Sequence, residues 1–257
     1  MKHARVAYAG AIHHAVADDT ASPNGLRLDD GRRVAEDAVV WLPPFVPRTV
    51  FAMALNYADH AKELAFKPPE EPLVFLKNTN TLMGHLGVMR RPADAVNMHY
   101  ECELAVVIGQ TCKAVTRERA YEVVAGYTVA NDYAIRNYLE NYYRPNFRVK
   151  CRDTCTPIGP WLVDAADVPD PMNLRLTTHV NGKQTQDGHT RDMVFSIPVL
   201  IEYLSSFMTL NPGDVILTGT PDGPADIMPG DEVATEIEGI GRLVHRMADD
   251  RAFGRSA

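Results

Sequence analysis

The sequence is short of cysteine, of long apolar runs and of basic charge, and each shortage removes a class of function. Only four cysteines occur in 257 residues: Cys102, Cys112, Cys151 and Cys155. None forms a C-x-x-C pair, and the closely spaced Cys151 and Cys155 have no His or Cys neighbour. Structural zinc and dithiol redox chemistry are therefore disfavoured, and buried reduced thiols are expected. No stretch approaches the roughly 18 apolar residues that span a bilayer. The N-terminal run is broken by His13 and His14 and is followed by Asp18 and Asp19, so it does not read as a signal peptide. A cytoplasmic protein without membrane association is the expectation. Acidic side chains number 33 against 26 basic ones, a net charge of −7. That balance argues against nucleic-acid binding but leaves room for a local cationic pocket.

What is present is an ordinary globular composition, 46% hydrophobic and 23% charged, which excludes disorder as the main state. The 17 glycines and 18 prolines favour many turns and a β-rich chain. Residues 1–47 read as a small N-terminal β subdomain with turns at Asn24-Gly25 and Asp30-Gly31, ending at Pro43, Pro44 and Pro47. Residues 48–257 read as a second, larger domain. Strands are predicted over 49–56, 73–77, 100–108, 126–131, 174–180, 214–220, 232–237 and 242–244. Asn181-Gly182 predicts a hairpin. Helices are predicted over 116–124, with Thr116 as N-cap, and over 196–207, with Ser196 as N-cap and Pro198 in the first turn. A short helical turn is predicted over 59–65. The helices do not alternate regularly with the strands, so a doubly wound sheet or α/β barrel is not expected. The fold class is α+β, mostly β.

The most informative stretch is HYECELAVVIG at 99–109. On a strand, residues two apart share a face, so Glu101 and Glu103 project side by side. Paired carboxylates repel unless a cation lies between them or one is protonated. The apolar run behind them points to a central strand rather than a solvated one. Asp132 follows at the end of another apolar strand, where functional groups often emerge. Three carboxylates without His or Cys make a hard oxygen donor set, suited to Mg²⁺, Mn²⁺ or Ca²⁺ over Zn²⁺, with positions left open for substrate.

These residues resemble the fumarylacetoacetate hydrolase superfamily. The resemblance is carried by NYADHAKE at 56–63, FLK at 75–77, YECE at 100–103, NDYAIR at 131–136, VKCRD at 149–153 and LTGTPDG at 217–223. They stand in the family's order over about residues 48–247. The runs at 131–145 and 207–214 are similar to the branch that serves homoprotocatechuate (4-hydroxyphenylacetate) breakdown. The resemblance implies a mixed β-roll fold, a homodimer, and Mg²⁺ or Mn²⁺ held by Glu101, Glu103 and Asp132. A homologous partner subunit is also within its scope. It further implies an active-site Lys150 and a lid pair, His60 and Glu63. One departure is Asn137, where relatives usually carry Asp; this bears on how Arg136 is oriented.

The function so implied is decarboxylation of 5-oxopent-3-ene-1,2,5-tricarboxylate, isomerisation of 2-hydroxyhepta-2,4-dienedioate, or both, through a dienolate stabilised by the divalent ion. His60 is the leading proton-transfer group because an unperturbed imidazole titrates near neutrality, and Glu63 one helical turn on would orient it. Lys150 would bind a substrate carboxylate or move a proton. Lys77 and Arg136 would hold substrate carboxylates, Arg136 bidentately, and Thr220 would offer a hydroxyl or backbone donor. A structural reading competes at each of these positions: surface His, Glu and Lys, or a plain turn at Gly219-Thr220-Pro221. Acylpyruvate-type C–C hydrolysis, oxaloacetate decarboxylation and non-catalytic metal or metabolite binding are the competing functions. His99 reads as structural, with a supporting role at the site as the alternative. His13, His14, His85, His179, His189 and His245 show no partner in the sequence. Tyr138, Tyr142 and Tyr143 read as packing.

Overall fold

The computed structural model describes residues 1–18, 25–59, 69–139 and 147–253. Its strands are β1 (Lys2–Tyr8), β2 (Ala11–Ala17), β3 (Gly25–Leu28), β4 (Arg33–Ala35), β5 (Val40–Leu42), β6 (Val50–Ala54) and β7 (Leu73–Lys77). There follow β8 (Leu82–Met83), β9 (Val88–Arg91), β10 (Met98–His99), β11 (Cys102–Ile108), β12 (Val124–Asn131), β13 (Ala134–Ile135) and β14 (Thr156–Asp164). The chain closes with β15 (Arg175–Val180), β16 (Lys183–His189), β17 (Val215–Leu217), β18 (Glu232–Ile237) and β19 (Gly241–Asp249). Two α-helices are described, α1 (Phe147–Lys150) and α2 (Ile197–Phe207). The architecture is mostly β, as expected.

A twelve-stranded sheet runs β4-β3-β2-β1-β14-β12-β11-β17-β6-β7, with β5 paired to β1 and β8 to β14. A five-stranded sheet runs β16-β15-β18-β19-β9, and β10 pairs with β13. The first five strands gather their own apolar cluster around Val6, Leu26 and Trp41. The β1–β14 ladder nonetheless makes them an extension of the large sheet.

All seven residues of β11 are buried, and their alternation explains how the strand serves two layers. Leu104, Val106 and Ile108 enter a large core with Leu200, Ile201 and Leu204 of α2 and with Leu176 and Leu243 of the smaller sheet. Ala105 packs on the opposite side with Val50, Ala130, Ile158 and Leu217. Each fully buried aliphatic side chain contributes about 1.5–3 kcal/mol. The strand is thus held on both faces, and its odd-numbered face carries Glu103.

The local expectations fare unevenly. Asn181 and Gly182 both have positive φ, 51° and 79°, and turn β15 into β16 as a tight hairpin. The helix predicted over 196–207 forms with Pro198 in its first turn, but Ser196 makes no side-chain cap bond. The segment after Thr116 is a 3₁₀ helix, Arg117–Val123, again without a side-chain cap. The turn predicted over 59–65 lies almost wholly outside the described residues, as does Asn24.

Candidate metal centre

Register brings the three carboxylates together. Cys102 of β11 pairs with Asn131 of β12, so the next residue outward on each strand meets its counterpart. The Asp132 backbone N–H donates to the Glu101 carbonyl at 2.9 Å. Glu101, Glu103 and Asp132 are 6%, 1% and 0% exposed, and ligand oxygens from all three lie within 4.8 Å of one another.

Buried like charges on this scale require compensation, and three cations supply it. Lys77, at the end of β7, donates to Asp132 Oδ1. Lys150, the last residue of α1, donates to Glu101 Oε2 at 2.5 Å, to Asp132 Oδ2 at 2.7 Å and to the Asp132 carbonyl at 3.4 Å. Arg136, which follows β13, donates from Nη2 to Glu101 Oε1 at 2.7 Å. Burial by itself would lower the Lys77 ammonium, but the charge of Asp132, the nearby Cys155 and the hydrogen bond to Asp132 together outweigh it and raise the pKa above the ordinary lysine value. Burial pushes Glu103 well above the usual carboxylate range, and the charges of Asp132 and Glu101 push the same way.

Glu103 has a different holder. Gly219 N–H donates to Glu103 Oε2 at 2.7 Å. Gly219 has φ +91°, and a Cβ there would stand 2.9 Å from Asn56 Cβ. Only glycine lets the turn after β17 come this close with its N–H aimed at the carboxylate. Asn56 locks the same turn, donating to the carbonyls of Thr218 at 2.8 Å and Phe195 at 3.1 Å and accepting from Phe195 N at 2.8 Å.

The structure thus gathers Lys77, Glu101, Glu103, Asp132, Arg136 and Lys150 into one cluster. Thr220 is buried in the turn that contacts Glu103. Lys77 is fully enclosed and is spent on Asp132, with Cys155 Sγ 3.7 Å away. His60 and Glu63 lie outside the described residues, as do Tyr142 and Tyr143. Asn137 Oδ1 accepts from the backbone N–H groups of Val96 (3.0 Å) and Asn97 (3.4 Å), while Nδ2 donates to the Asp94 carbonyl at 3.2 Å. With Arg136 N–H donating to the Asn97 carbonyl at 2.8 Å, this pins the turn that presents Arg136. An aspartate could accept those N–H groups but could not donate to the carbonyl. His99 Nδ1 lies 3.4 Å from Arg136 Nε. Tyr138 packs under Arg148, 4.1 Å from ring centre to guanidinium, and donates its hydroxyl to Asp94.

Several histidines have partners that the sequence did not show. His13 contacts Asp29 at 2.9 Å, His85 accepts from Val244 N–H at 3.0 Å, His189 accepts from Arg191 N–H at 3.3 Å, and His245 meets the Tyr133 hydroxyl at 2.8 Å. All four cysteines are free; Cys112 is half-buried and the others are buried. Sequence reasoning also missed Gln186, Asn56 and the Gly219 N–H. No local pattern marks Gln186, whose strand neighbours Thr185 and Asp187 are half-buried and exposed.

The cluster fits a divalent ion. Its donors are all carboxylate oxygens, the set preferred by Mg²⁺ and Mn²⁺, and they already converge. No helix among the described residues is long and apolar enough to cross a membrane.

Comparison with known proteins places these features in context. The family described as fumarylacetoacetate (FAA) hydrolase C-terminal matches residues 49–248. The 4-hydroxyphenylacetate degradation bifunctional isomerase/decarboxylase of Salmonella dublin is 62% identical over 199 residues, covering 77% of this chain and 46% of the relative. Its Escherichia coli counterpart is 60% identical over 202 residues, covering 79% and 47%. The chain therefore spans about half the length of these curated relatives. Among solved structures, 5-carboxymethyl-2-hydroxymuconate delta-isomerase from Mycobacterium smegmatis superposes with a TM-score of 0.87 at 37% identity, covering 97% of this chain and 99% of the other. Fumarylpyruvate hydrolase from Pseudomonas aeruginosa, solved with Mn²⁺ and pyruvate, superposes at 0.76 with 31% identity, covering 82% and 92%.

Proposed function

The chain belongs to the fumarylacetoacetate hydrolase family, and from that premise we propose that it is a divalent-metal-dependent decarboxylase and isomerase. Its substrates in this reading are 5-oxopent-3-ene-1,2,5-tricarboxylate and 2-hydroxyhepta-2,4-dienedioate. The supporting observation is the charge pattern of the buried cluster. The cations Lys77, Arg136 and Lys150 contact Glu101 and Asp132 but not Glu103, so they balance three carboxylates only when Glu103 is ionised, which a bound divalent ion would favour. A divalent ion would leave the site two charges positive, which suits a polyanionic 2-oxo acid and disfavours a neutral one.

Glu101, Glu103 and Asp132 would hold Mg²⁺ or Mn²⁺, which when bound supplies a Lewis acid for the substrate's oxo group and adjacent carboxylate. The protein's own residues do the rest. Lys77 holds Asp132 aimed through its ion pair. Gly219 N–H keeps one oxygen of Glu103 in place. Lys150 spends its donors on Glu101 and Asp132 in this arrangement. A carboxylate oxygen that turns away from Lys150 releases an ammonium hydrogen for a substrate carboxylate.

In the decarboxylation, the bond to the departing carboxylate breaks. Its electron pair conjugates through the alkene to the oxo oxygen, and CO₂ leaves. A proton must then return to carbon, and the choice of carbon sets the isomer. His60, oriented by Glu63, is the proposed carrier. A C–C hydrolase of acylpyruvate type is the second reading, favoured by the likeness to the fumarylpyruvate hydrolase. In that reading the same pair would activate water. A homodimer remains part of the proposal, as does a homologous partner subunit.

The test is to incubate the chain with Mg²⁺ or Mn²⁺ and the unsaturated oxo-tricarboxylate, following CO₂ and dienol absorbance together. CO₂ release followed by an absorbance change supports both activities. Silence there with cleavage of an acylpyruvate moves the chain to the hydrolase reading.

A further inference from the structure

Gln186 lies on β16 in the smaller sheet, far in sequence from the carboxylates, and is only 2% exposed. Its side-chain amide bridges the two halves of the centre. Oε1 accepts from the backbone N–H of Cys102, the residue between Glu101 and Glu103, at 3.4 Å, and from Thr178 Oγ1 at 3.1 Å. Nε2 donates to Thr220 Oγ1 at 3.0 Å and to the carbonyls of Pro221 at 3.0 Å and Asp222 at 3.3 Å.

The direction of this amide is not a matter of choice. A backbone N–H can only donate, and a carbonyl can only accept. Turning the amide over would set Nε2 against the Cys102 N–H and Oε1 against two carbonyl oxygens. Nε2 must therefore face the turn, and Thr220 Oγ1 must accept from it. The hydroxyl's own hydrogen is then directed elsewhere, and among the described residues it has no acceptor. Thr220 is the residue next to Gly219, whose N–H grips Glu103.

We propose that Gln186 is a positioning residue that fixes Thr220 as a hydrogen-bond donor, so that this corner of the site recognises an anionic or carbonyl oxygen of the substrate and rejects a donor there. This rests on the reading of Thr220 as substrate-binding. A free hydroxyl would rotate and serve either role. Here the amide makes the choice in advance, which also spares the rotational entropy of selecting it on binding. The same amide ties the Glu101–Glu103 backbone to the Thr220 turn, so donor and metal ligands move as one unit.

The experiment measures Mn²⁺ affinity by calorimetry, and then pyruvate affinity for the Mn²⁺-loaded protein, in Thr220→Val, Gln186→Glu, Gln186→Met and the Thr220→Val/Gln186→Glu double variant. A carboxylate at 186 offers an acceptor to the Thr220 hydroxyl and draws its hydrogen away from the ligand. Pyruvate affinity should fall about tenfold to a hundredfold in Thr220→Val, the loss of one hydrogen bond to a charged group. Gln186→Glu should match it, and the double variant should lose no more than either single change. Gln186→Met, which frees the hydroxyl to rotate, should lose less than Gln186→Glu. Mn²⁺ affinity should change by less than the pyruvate affinity in the 186 variants.

If Thr220→Val leaves pyruvate affinity intact, the substrate-binding reading of Thr220 fails, and this inference with it. If Thr220→Val weakens pyruvate but both 186 variants leave it unchanged, only the inference is overturned. Equal losses of Mn²⁺ and pyruvate affinity in both 186 variants would mean a merely structural role, which also overturns it. Should Gln186→Glu fail to fold, the comparison of Gln186→Met with Thr220→Val decides by the same criteria.

Discussion

Arg136 and Glu101 stand 35 positions apart in the chain and 2.7 Å apart in space, guanidinium Nη2 against carboxylate Oε1. Lys150 takes the other oxygen of the same carboxylate at 2.5 Å. Glu101 is thus held from two sides by cations that sit on separate turns, one after β13 and one at the end of α1. Neither grip relies on a flexible surface side chain: Lys150 is buried, and the turn carrying Arg136 is pinned through Asn137. Such preorganisation is what a metal ligand needs, because a carboxylate free to rotate would lose part of its binding free energy to ordering.

Glu101→Ala should remove Mn²⁺ binding and turnover together. We expect Mn²⁺ affinity to fall by more than about a hundredfold, beyond the loss typical when an outer partner of a ligand is removed. Calorimetric titration and CO₂ release measured on the same preparation check this. Activity that survives at unchanged metal concentration would mean the ligands are misassigned.

Lys77→Met addresses charge compensation. It leaves the buried Asp132 with one of its two ammonium partners, Lys150 at 2.7 Å, so the loss should stay below the roughly 3–5 kcal/mol that follows when a buried charge loses its whole pairing. Saturating Mn²⁺ should recover part of that stability by replacing the missing positive charge and by mass action. Urea unfolding with and without Mn²⁺ is the readout. A loss equal in both conditions would show that Lys77 acts by packing alone.

Gly219→Ala should weaken both the fold and the metal site. The positive φ by itself costs about 1–3 kcal/mol for a residue with a Cβ, and the new atom meets Asn56 Cβ at 2.9 Å. The turn must shift, taking its N–H from Glu103, so Mn²⁺ affinity should drop about tenfold. Gly230→Ala is the control: its φ is +98° but no atom lies within 4 Å of the added Cβ. It should lose stability without losing metal affinity.

Acid stability should depend on two buried histidines. Burial holds His85 down at about 4 and His245 at about 3, with the nearby Arg242 adding to the first effect and His85 to the second. Both are therefore neutral in the folded protein at pH 5, whereas in the unfolded chain they titrate near 6.5. Below that pH the unfolded state binds more protons, so stability falls as pH falls from about 6.5 toward the folded values. Each histidine should contribute a loss of about 2 kcal/mol by pH 5. Urea unfolding of the native protein and of His85→Asn between pH 8 and pH 4 checks the sign, since the variant should show the shallower acid decline. Equal slopes would remove His85 as a source.

How much was legible beforehand follows from which interactions are local. The alternation in ECELAVVI marked a central strand with its two glutamates on one face, and β11 is buried along its whole length. Asn181-Gly182 marked a hairpin because few other pairs tolerate two positive φ angles. The 196–207 helix was readable from its period. The segment after Thr116 was harder: its signals call for a helix, yet the short stretch between β11 and β12 holds only 3₁₀ turns. Among the site residues, Glu101 and Glu103 were readable as a pair from strand periodicity; the resemblance joined Asp132 to them, and the β11–β12 register brings the three together. The motif order added the lysines and Arg136 by resemblance.

The sequence by itself therefore determined the β-rich fold class, the shared face of Glu101 and Glu103 and the absence of an apolar run that spans a bilayer, because composition and a period of two are properties of neighbouring residues. Only the tertiary structure decided that Lys77 is spent on Asp132, that Gly219 presents its N–H to Glu103 and that Gln186 dictates the hydrogen of Thr220. These contacts join residues 55, 116 and 34 positions apart. Their partners are selected by which strands lie side by side and by the cost of leaving a buried polar group unpaired. No local pattern encodes that choice.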